Sequence, residues 1–259
     1  MLFRMAGYTS AGMVRQKNED SFAILPNEQG AFLADGMGGL AHGQFAAKIA
    51  TTVGQAILGN DAMAPHERLL SALDAANNAI YCASRALRAP MGAVAVAVLM
   101  CSRRLYFAHV GDARLYIYDP VRGILEQLTR DHVAGSGNEV TRHLGSLPVK
   151  DGPIADYGEV PFPPCAYLVM NSDGLTRVLS TTSLAEIVAI HADDPEAAAE
   201  RLICNANARG ADDNVTVVIG MERHDQEARS GPRALRRAVI AGLLSAGPLL
   251  APVTAGMVK

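Results

Sequence analysis

The stretch AVAVAVLMCSRRLYFAHVGDARLYIYD, residues 93–119, decides the fold class. It holds three short apolar runs rich in β-branched and aromatic residues, a composition typical of β-strands. The four residues CSRR between the first two runs predict a hairpin. The runs follow one another without the helices that alternate with strands in a doubly wound parallel sheet. The stretch therefore predicts an antiparallel sheet.

Patterns on either side of this stretch extend the same architecture. Further strands are predicted at residues 3–7, 20–25, 30–35, 166–172 and 214–220. Helical patterns come in two pairs, at residues 42–58 with 66–88 and at 183–191 with 195–208. Apolar stripes predict the core-facing side of the first pair: Phe45, Ile49, Val53 and Ala56, and then Leu69, Leu73, Ala76, Ile80, Ala83 and Leu87. Clustered strands and paired helices indicate antiparallel sheets covered by helical pairs.

Composition excludes several classes of protein. The chain has 259 residues, of which 49% are hydrophobic and 19% charged, so a folded domain with a sizeable core is expected. A net charge of −3 and 5% aromatic residues give no support for nucleic-acid binding. The cysteines are scattered, at positions 82, 101, 165 and 204, which predicts buried reduced thiols of a cytosolic domain rather than a zinc site or a disulfide framework.

Four aspartates lie where apolar runs begin or end: Asp35, Asp112, Asp173 and Asp213. Loops from different strands converge at such positions, so the carboxylates could meet around a hard cation. No histidine or cysteine accompanies them, which favours magnesium or manganese over zinc. A single aspartate of this kind is usually a turn former.

The glycines after Asp35 allow a competing interpretation. Gly36, Gly38 and Ala41 match the G-x-G-x-x-A pattern of dinucleotide-binding loops between a strand and a helix. Asp35 would repel a pyrophosphate there, and the acid expected about 20 residues further on is missing. A nucleotide site is therefore the weaker alternative.

Seven motifs carry a resemblance to a known family. In chain order they are RQKNEDSF (15–22), LADGMGG (33–39), HVGDARLY (109–116), LTRDH (128–132), VTRHLG (140–145), VMNSDGLT (169–176) and ADDNVTVV (211–218). Together they resemble the metal-dependent protein serine/threonine phosphatases of type 2C, the PPM family, in its bacterial branch. The resemblance extends over about residues 5–221.

This resemblance implies a fold and an activity. The fold is an α+β sandwich of two antiparallel sheets flanked by helix pairs, in four layers, with a binuclear metal centre at one end. The activity is hydrolysis of phosphoserine and phosphothreonine in proteins by a metal-activated hydroxide, which makes the chain a phosphoric monoester hydrolase. Its partners would be a serine/threonine kinase and the proteins that the kinase phosphorylates in signalling. The alternative is a catalytically weak relative that binds phosphoproteins as a regulatory module.

The resemblance also implies the ligands of two Mn²⁺ or Mg²⁺ ions and of a third, weaker one. Asp35 matches the aspartate that bridges both metals, and Gly36 matches the glycine whose carbonyl is a ligand. Asp173 and Asp213 match the remaining carboxylates of the first site. Asp112 matches the aspartate that helps to hold the third metal.

Three further residues match family positions near the metals. Glu19 matches an acid that reaches metal through water, and Asp20 lies next to it. Arg15 matches the arginine that binds the substrate phosphate. A surface arginine paired with Glu19 is the alternative for Arg15. His132 and His143 are expected to be structural or surface residues.

The main departure from the family lies at residues 133–137. Relatives usually insert a helical flap of some tens of residues between the LTRDH and VTRHLG motifs, whereas here only VAGSG remains. A shortened flap leaves the metal centre more open. Weak discrimination among phosphopeptides is therefore expected.

The C-terminal part of the chain differs from the rest. Residues 1–221 are predicted to form the phosphatase domain and residues 222–237 a charged linker. Residues 238–258 carry no charge and follow the basic cluster RALRR, which favours a membrane anchor with the catalytic domain in the cytoplasm. Pro248, Pro252 and the glycines weaken such a helix. An apolar tail packed on the domain is the alternative.

Overall fold

Two antiparallel sheets of five strands each form the centre of the protein. The computed structural model describes residues 3–27, 29–37, 42–135, 139–146, 154–191 and 193–222. Every strand pair in the two sheets is antiparallel. The predicted sandwich of antiparallel sheets is confirmed.

Each sheet combines strands from distant parts of the chain. The first has the order β1-β10-β9-β6-β7, with β1 Phe3–Ser10, β6 Arg114–Asp119, β7 Ile124–Gln127, β9 Tyr167–Asn171 and β10 Val215–Glu222. The second has the order β2-β3-β4-β5-β8, with β2 Asp20–Ile24, β3 Gly30–Gly36, β4 Ala93–Cys101, β5 Arg104–Val110 and β8 Asp156–Pro161. An apolar cluster that includes Leu33, Val96, Leu115 and Leu168 fills the space between the sheets.

The predicted hairpin joins β4 to β5. Cys101 pairs with Arg104, so Ser102 and Arg103 form a two-residue turn. Both turn residues have left-handed backbone angles, with φ of 49° and 61°. Such a turn matches the twist of the flanking strands, which fixes the register of this hairpin.

Helices cover the outer face of each sheet. Helices α1 Gly43–Leu58 and α2 Pro65–Leu87 share an apolar cluster with the second sheet. Helices α3 Asp173–Val178, α4 Thr181–Ile190 and α5 Pro195–Ala208 share another with the first sheet. The layers are therefore helices, sheet, sheet and helices, as the sequence predicts.

The buried face of α1 differs from the prediction. Phe45 is 48% exposed and Ala56 is exposed as well, while the buried residues are Gly43, Ala46, Ala47, Ala50, Thr51, Gly54 and Leu58. A Cβ atom on Gly54 would lie 2.3 Å from the ring of Phe32. Small residues face the sheet because they let the helix approach β3 this closely. Ile49 of the predicted stripe packs against this core, whereas the prediction was wrong for Phe45 and Ala56.

The α2 stripe is correct from Leu69 to Ile80, but Leu87 at the helix end is 55% exposed. The prediction of buried cysteines is wrong for Cys82, Cys101 and Cys204, which are exposed. Strands β7 and β8 and helix α3 were not predicted. Strands β7 and β8 are largely exposed and lack a clear apolar alternation, and α3 has only six residues.

The C-terminal predictions lie almost wholly outside the described residues. Glu222, the first residue of the predicted linker, is the last residue of β10. Residues 223–237 and the apolar segment 238–258 are not described. No helix in the described part of the chain has the length and apolar character that crossing a membrane requires.

Candidate metal centre

Acidic side chains from both sheets meet at one end of the sandwich. Asp20 and Asp35 lie directly opposite each other in the β2–β3 ladder. Asp173 begins α3 just after β9, and Asp112 follows β5. The pKa of Asp35 is affected by the charges of Asp20, Asp173 and Asp112, so the structure brings these four carboxyl groups together.

Asp20 lies deeper in this cluster than its sequence position suggests. Its side chain is buried, and its Oδ2 atom accepts hydrogen bonds from the hydroxyls of Ser172, at 2.8 Å, and Thr216, at 2.6 Å. Its Oδ1 atom is buried without a hydrogen-bond donor among the described residues. The carboxyl groups of Asp20 and Asp35 lie close enough for each to affect the pKa of the other.

Burial and mutual repulsion raise the pKa values of the cluster. Burial raises the pKa of Asp20 to about 6 and, together with the charge of Asp173, raises that of Asp112 to about 6. Burial, followed by the charge of Asp20, raises the pKa of Asp35 well above its usual range. Burial also raises the pKa of Asp173. The metal-free cluster therefore attracts positive charge.

The donor set fits divalent cations of the magnesium or manganese type. Its donors are carboxylate oxygens, which suit hard ions, and the Oδ1 atom of Asp20 provides a buried acceptor that a cation could satisfy. Two divalent ions bound side by side need oxygen ligands from several directions, and the carboxylates here come from several elements of the fold. The residues present therefore fit a pair of such ions.

Gly36 and Glu19 lie together beside the cluster. The N–H of Gly36 donates to the carbonyl of Glu19 at 3.0 Å. A Cβ atom on Gly36 would lie 2.2 Å from the carbonyl oxygen of Gly43, so position 36 requires glycine. The Glu19 carboxylate lies against Gly43, 3.0 Å from where a Cβ atom of that residue would be. Both predicted site residues are therefore placed at the start of α1.

Two arginines pair with the aspartates of the first sheet. Arg15 donates to the Oδ2 atom of Asp213 at 3.0 Å, and Arg15 is partly exposed. Arg15 is therefore paired with Asp213 in the structure, and not with Glu19 as the alternative interpretation expected. Arg177 donates to the Oδ2 atom of Asp173 at 2.5 Å and lies 3.7 Å from Asp213. The guanidinium groups partly neutralise the cluster.

Asn214 connects the arginine-bearing loop to β10. Its amide nitrogen donates to the carbonyls of Ala11, at 3.1 Å, and Lys17, at 2.8 Å. Its Oδ1 atom accepts the backbone N–H of Glu19 at 2.8 Å. Asn214 is buried, so it fixes the loop that carries Arg15 and Glu19 against the strand that follows Asp213.

Sequence reasoning missed four polar residues of this site: Ser172, Arg177, Asn214 and Thr216. Arg177 follows Asp173 by four residues, which places both side chains on one face of a helix. That spacing was a usable signal once α3 was recognised. The hydroxyls of Ser172 and Thr216 give no such signal, because their partner Asp20 lies far away in the sequence.

The dinucleotide interpretation of the glycine-rich turn is wrong. Strand β3 pairs antiparallel with both β2 and β4, whereas a dinucleotide loop needs a parallel β-α-β unit. Gly38 and Ala41 lie outside the described residues.

Two short paired segments, residues 133–134 and 139–140, stand where the family's flap is expected. Val133 forms an isolated bridge with Val140, and Ala134 donates to the carbonyl of Glu139 at 2.9 Å. Residues 136–138 are not described. His143 is half-buried and bonds to the carbonyl of Leu144, while His132 is buried. The predicted structural role of both histidines agrees with these contacts.

Comparison with known proteins agrees with the fold and the acidic cluster. The family model described as Protein phosphatase 2C matches residues 9–204. The serine/threonine phosphatase Stp of Listeria monocytogenes is 30% identical over 241 residues, covering 82% of this chain and 92% of that protein. The crystal structure of the Mycobacterium tuberculosis phosphatase PstP/Ppp has a TM-score of 0.77 and 26% identity, covering 86% of this chain and all of that one.

A second solved structure carries metal. It is the catalytic domain of the serine/threonine phosphatase PstP in complex with two manganese ions, with a TM-score of 0.74 and 28% identity. It covers 85% of this chain and 97% of that one. The two-sheet sandwich, the convergent carboxylates and these matches lead to one conclusion. This chain belongs to the protein phosphatase 2C family.

Proposed function

We propose that this chain hydrolyses phosphoserine and phosphothreonine in proteins with divalent ions held by its acidic cluster. One observation carries the proposal: Asp20, Asp35, Asp112 and Asp173 converge at one end of the sandwich, where burial and then neighbouring charges raise their pKa values. Such a cluster of buried acids is costly unless cations neutralise it. Membership of a family of metal-dependent protein phosphatases supplies the reaction.

The metal ligands are proposed from the family motifs and from the placement of the side chains. Asp35 would hold both ions and the carbonyl of Gly36 would be a further ligand, Asp173 and Asp213 would complete the first site, and Asp112 would serve a third, weaker site. Glu19 would act through water. Two Mn²⁺ or Mg²⁺ ions, when bound, would lower the pKa of water and polarise the phosphoryl oxygens.

Arg15 is proposed to bind the substrate phosphate. Its guanidinium already lies 3.0 Å from Asp213, at the edge of the acidic cluster, and 43% of its side chain is exposed. A phosphate placed next to the cluster, on its solvent side, could therefore accept hydrogen bonds from the N–H groups of Arg15. Asn214 holds the backbone of the loop that carries Arg15, and the ion pair with Asp213 holds the guanidinium next to the cluster before the substrate arrives.

Phosphate release from p-nitrophenyl phosphate and from a phosphothreonine peptide, with and without Mn²⁺, tests the proposal. Wild-type chain should release phosphate only with the metal, and Asp35→Asn and Asp173→Asn should each reduce kcat at least about 1,000-fold. Glu126→Gln, which changes an exposed acid on β7, is the matched control and should keep full activity. Binding of the phosphopeptide without hydrolysis by wild-type chain would instead indicate the regulatory relative.

Substrate selectivity is proposed to be weak because the flap is short. Initial rates on a panel of phosphopeptides should then differ by less than about tenfold, which corresponds to about 1.4 kcal/mol of discrimination. A preference of a hundredfold or more for one flanking sequence would show that another surface selects the substrate.

The partner and the location are proposed from the sequence. A serine/threonine kinase and its targets are the expected partners. Residues 1–221 would form the catalytic domain, working in the cytoplasm, with residues 222–237 as a linker and residues 238–258 as an anchor in the cytoplasmic membrane. Fractionation tests this: the full chain should sediment with membranes, and a chain ending at residue 225 should not. Equal distribution of both would remove the anchor from the proposal.

A further inference from the structure

A polar cluster of two buried histidines and one exposed aspartate lies beside the acidic centre and has no part in the proposed reaction. It consists of His109 on β5, His132 after β7, and Asp156 at the start of β8. The two imidazole rings lie 4.7 Å apart, nearly parallel. One ligand atom from each of the three residues lies within 4.8 Å of the others, a spacing that a metal ion could use.

Hydrogen bonding excludes metal ligation by His132 in its neutral form. The backbone N–H of Gly111 donates to its Nδ1 atom at 3.1 Å, so Nδ1 carries a lone pair. The proton of a neutral ring then sits on Nε2, which donates to the Oδ2 atom of Asp156 at 3.1 Å. A metal ligand needs a free ring lone pair, and neutral His132 offers none, because Nδ1 accepts from Gly111 and Nε2 carries the proton. His132, Asp156 and Gly111 therefore form a hydrogen-bonded unit, and the ring of His109 stacks on that of His132.

This unit holds the turn that carries Asp112. Besides the bond to Nδ1, the carbonyl of Gly111 accepts the backbone N–H of His132 at 3.0 Å. Gly111 has φ of 90°, and a Cβ atom there would lie 2.1 Å from the side chain of Val94, so the turn is sterically constrained as well. Both backbone polar groups of Gly111 therefore end on a single residue, His132.

The residue after Gly111 faces the acidic cluster. The charge of Asp173 contributes to the raised pKa of Asp112, and Asp112 in turn contributes to that of Asp35. On the opposite side, Arg142 donates to the Oδ1 atom of Asp156 at 2.6 Å. Contacts thus run from Arg142 through Asp156 and His132 to Gly111, the residue before Asp112.

We propose that His132 is a positioning residue for Asp112, acting through the hydrogen bond from Gly111 to its Nδ1 atom. The consequence for metal binding rests on the proposed function, in which Asp112 serves the third, weaker ion. His132 fixes where the Asp112 carboxylate points, and the Asp156–Arg142 pair fixes the ring orientation. Histidine is required because it presents an acceptor to Gly111 and a donor to Asp156 at the same time.

Two substitutions separate the two hydrogen bonds of His132. His132→Asn keeps an acceptor at the position of Nδ1, where it can bind the N–H of Gly111. His132→Gln instead keeps a donor at the position of Nε2, where it can bind Asp156. Both remove the ring and its stacking on His109, so a merely structural role would affect both variants alike. Asp112→Ala is the reference for loss of the carboxylate itself.

The first readout does not depend on activity or on metal. Hydrogen exchange of the Gly111 amide should be at least about tenfold faster in His132→Gln than in His132→Asn, because only the latter keeps an acceptor. The ¹⁵N shifts of the His132 ring should show the proton on Nε2. Equal exchange in both variants, or a proton on Nδ1 in the wild type, would overturn the positioning role.

The second readout is Mn²⁺ titration calorimetry. Loss of an outer partner typically weakens metal binding by about 10- to 100-fold, so His132→Gln should weaken the lowest-affinity step by about tenfold and His132→Asn by less than about twofold. In an Asp112→Ala background, His132→Gln should cause no further loss of Mn²⁺ affinity. An unchanged isotherm in His132→Gln, with a changed one in Asp112→Ala, would overturn the inference. Absence of any Mn²⁺ binding by wild-type chain would instead refute the proposed function, and the exchange measurement would still decide the role of His132.

Discussion

Replacing Asp20 by asparagine changes the charge of the acidic cluster while keeping its shape. The Oδ2 atom of Asp20 accepts two hydroxyl hydrogen bonds, from Ser172 and Thr216, and an amide oxygen can accept both. The amide nitrogen would take the place of Oδ1, which has no donor among the described residues, and would point towards Asp35. The substitution removes a buried charge and leaves these hydrogen bonds in place.

The pKa of Asp20 gives the sign and size of the effect. Burial raises it to about 6 in the folded metal-free chain, from 3.8. The folded state therefore binds the proton more tightly than the unfolded state, and wild-type stability falls as the pH rises from about 4 to about 6. At about 1.4 kcal/mol for each pKa unit, ionised Asp20 costs the folded chain about 2–3 kcal/mol at pH 7.

Thermal unfolding with EDTA at pH 4 and pH 7 measures this cost. Asp20→Asn should raise Tm at pH 7 by about 5–10 °C and should leave it nearly unchanged at pH 4. Glu126→Gln, the exposed control, should change Tm by less than about 1 °C at either pH. Millimolar Mn²⁺ should stabilise wild-type chain more than the variant, because the variant has lost a charge that attracts the ions. A lower Tm for Asp20→Asn at pH 7, or an equal gain at both pH values, would refute the reasoning.

Three other substitutions test the surroundings of the cluster. Arg15→Ala should raise the Ki of inorganic phosphate by about 10- to 100-fold and change the free energy of unfolding by less than about 1 kcal/mol, since its ion pair is partly exposed; an unchanged Ki would exclude a role in phosphate binding. Asn214→Asp should lower the urea-unfolding free energy by about 2–4 kcal/mol, because two carbonyls of loop 11–17 lose their donor; a loss below about 0.5 kcal/mol would contradict this. Arg177→Gln should tighten Mn²⁺ binding by about tenfold in calorimetry, since a cation leaves Asp173; weaker binding would show that the arginine supports the site.

The strands and the class of fold were predictable because they depend on local patterns. The runs at residues 93–119 have the composition of strands, and a two-residue turn joins the first two of them. The buried face of α1 was not predictable in the same way. Ala46, Ala47 and Gly54 carry little apolar signal, and they face the core because the helix lies so close to Phe32.

The candidate site was predictable where a motif marks it and unpredictable where the fold creates it. Asp35 and Asp173 stand at strand ends beside glycines, and both lie in the acidic cluster. Asp20 could not be ranked from sequence, because its central position results from pairing with Asp35 and from hydroxyls more than 150 residues away. The role of His132 depends likewise on Gly111, which it meets only through the packing of two loops.

The order of strands in the first sheet has a consequence for biosynthesis. Strand β10, near the end of the described chain, lies between β1 and β9, so β1 lacks its only neighbour in that sheet until β10 has been translated. The contact between Thr9 and Thr216 spans 207 positions. Contacts this distant in sequence form late, because the ribosome must first release almost the entire domain. Until β10 has left the ribosome, a nascent chain therefore carries an exposed strand edge on β9, and Asp20 lacks the hydroxyl of Thr216.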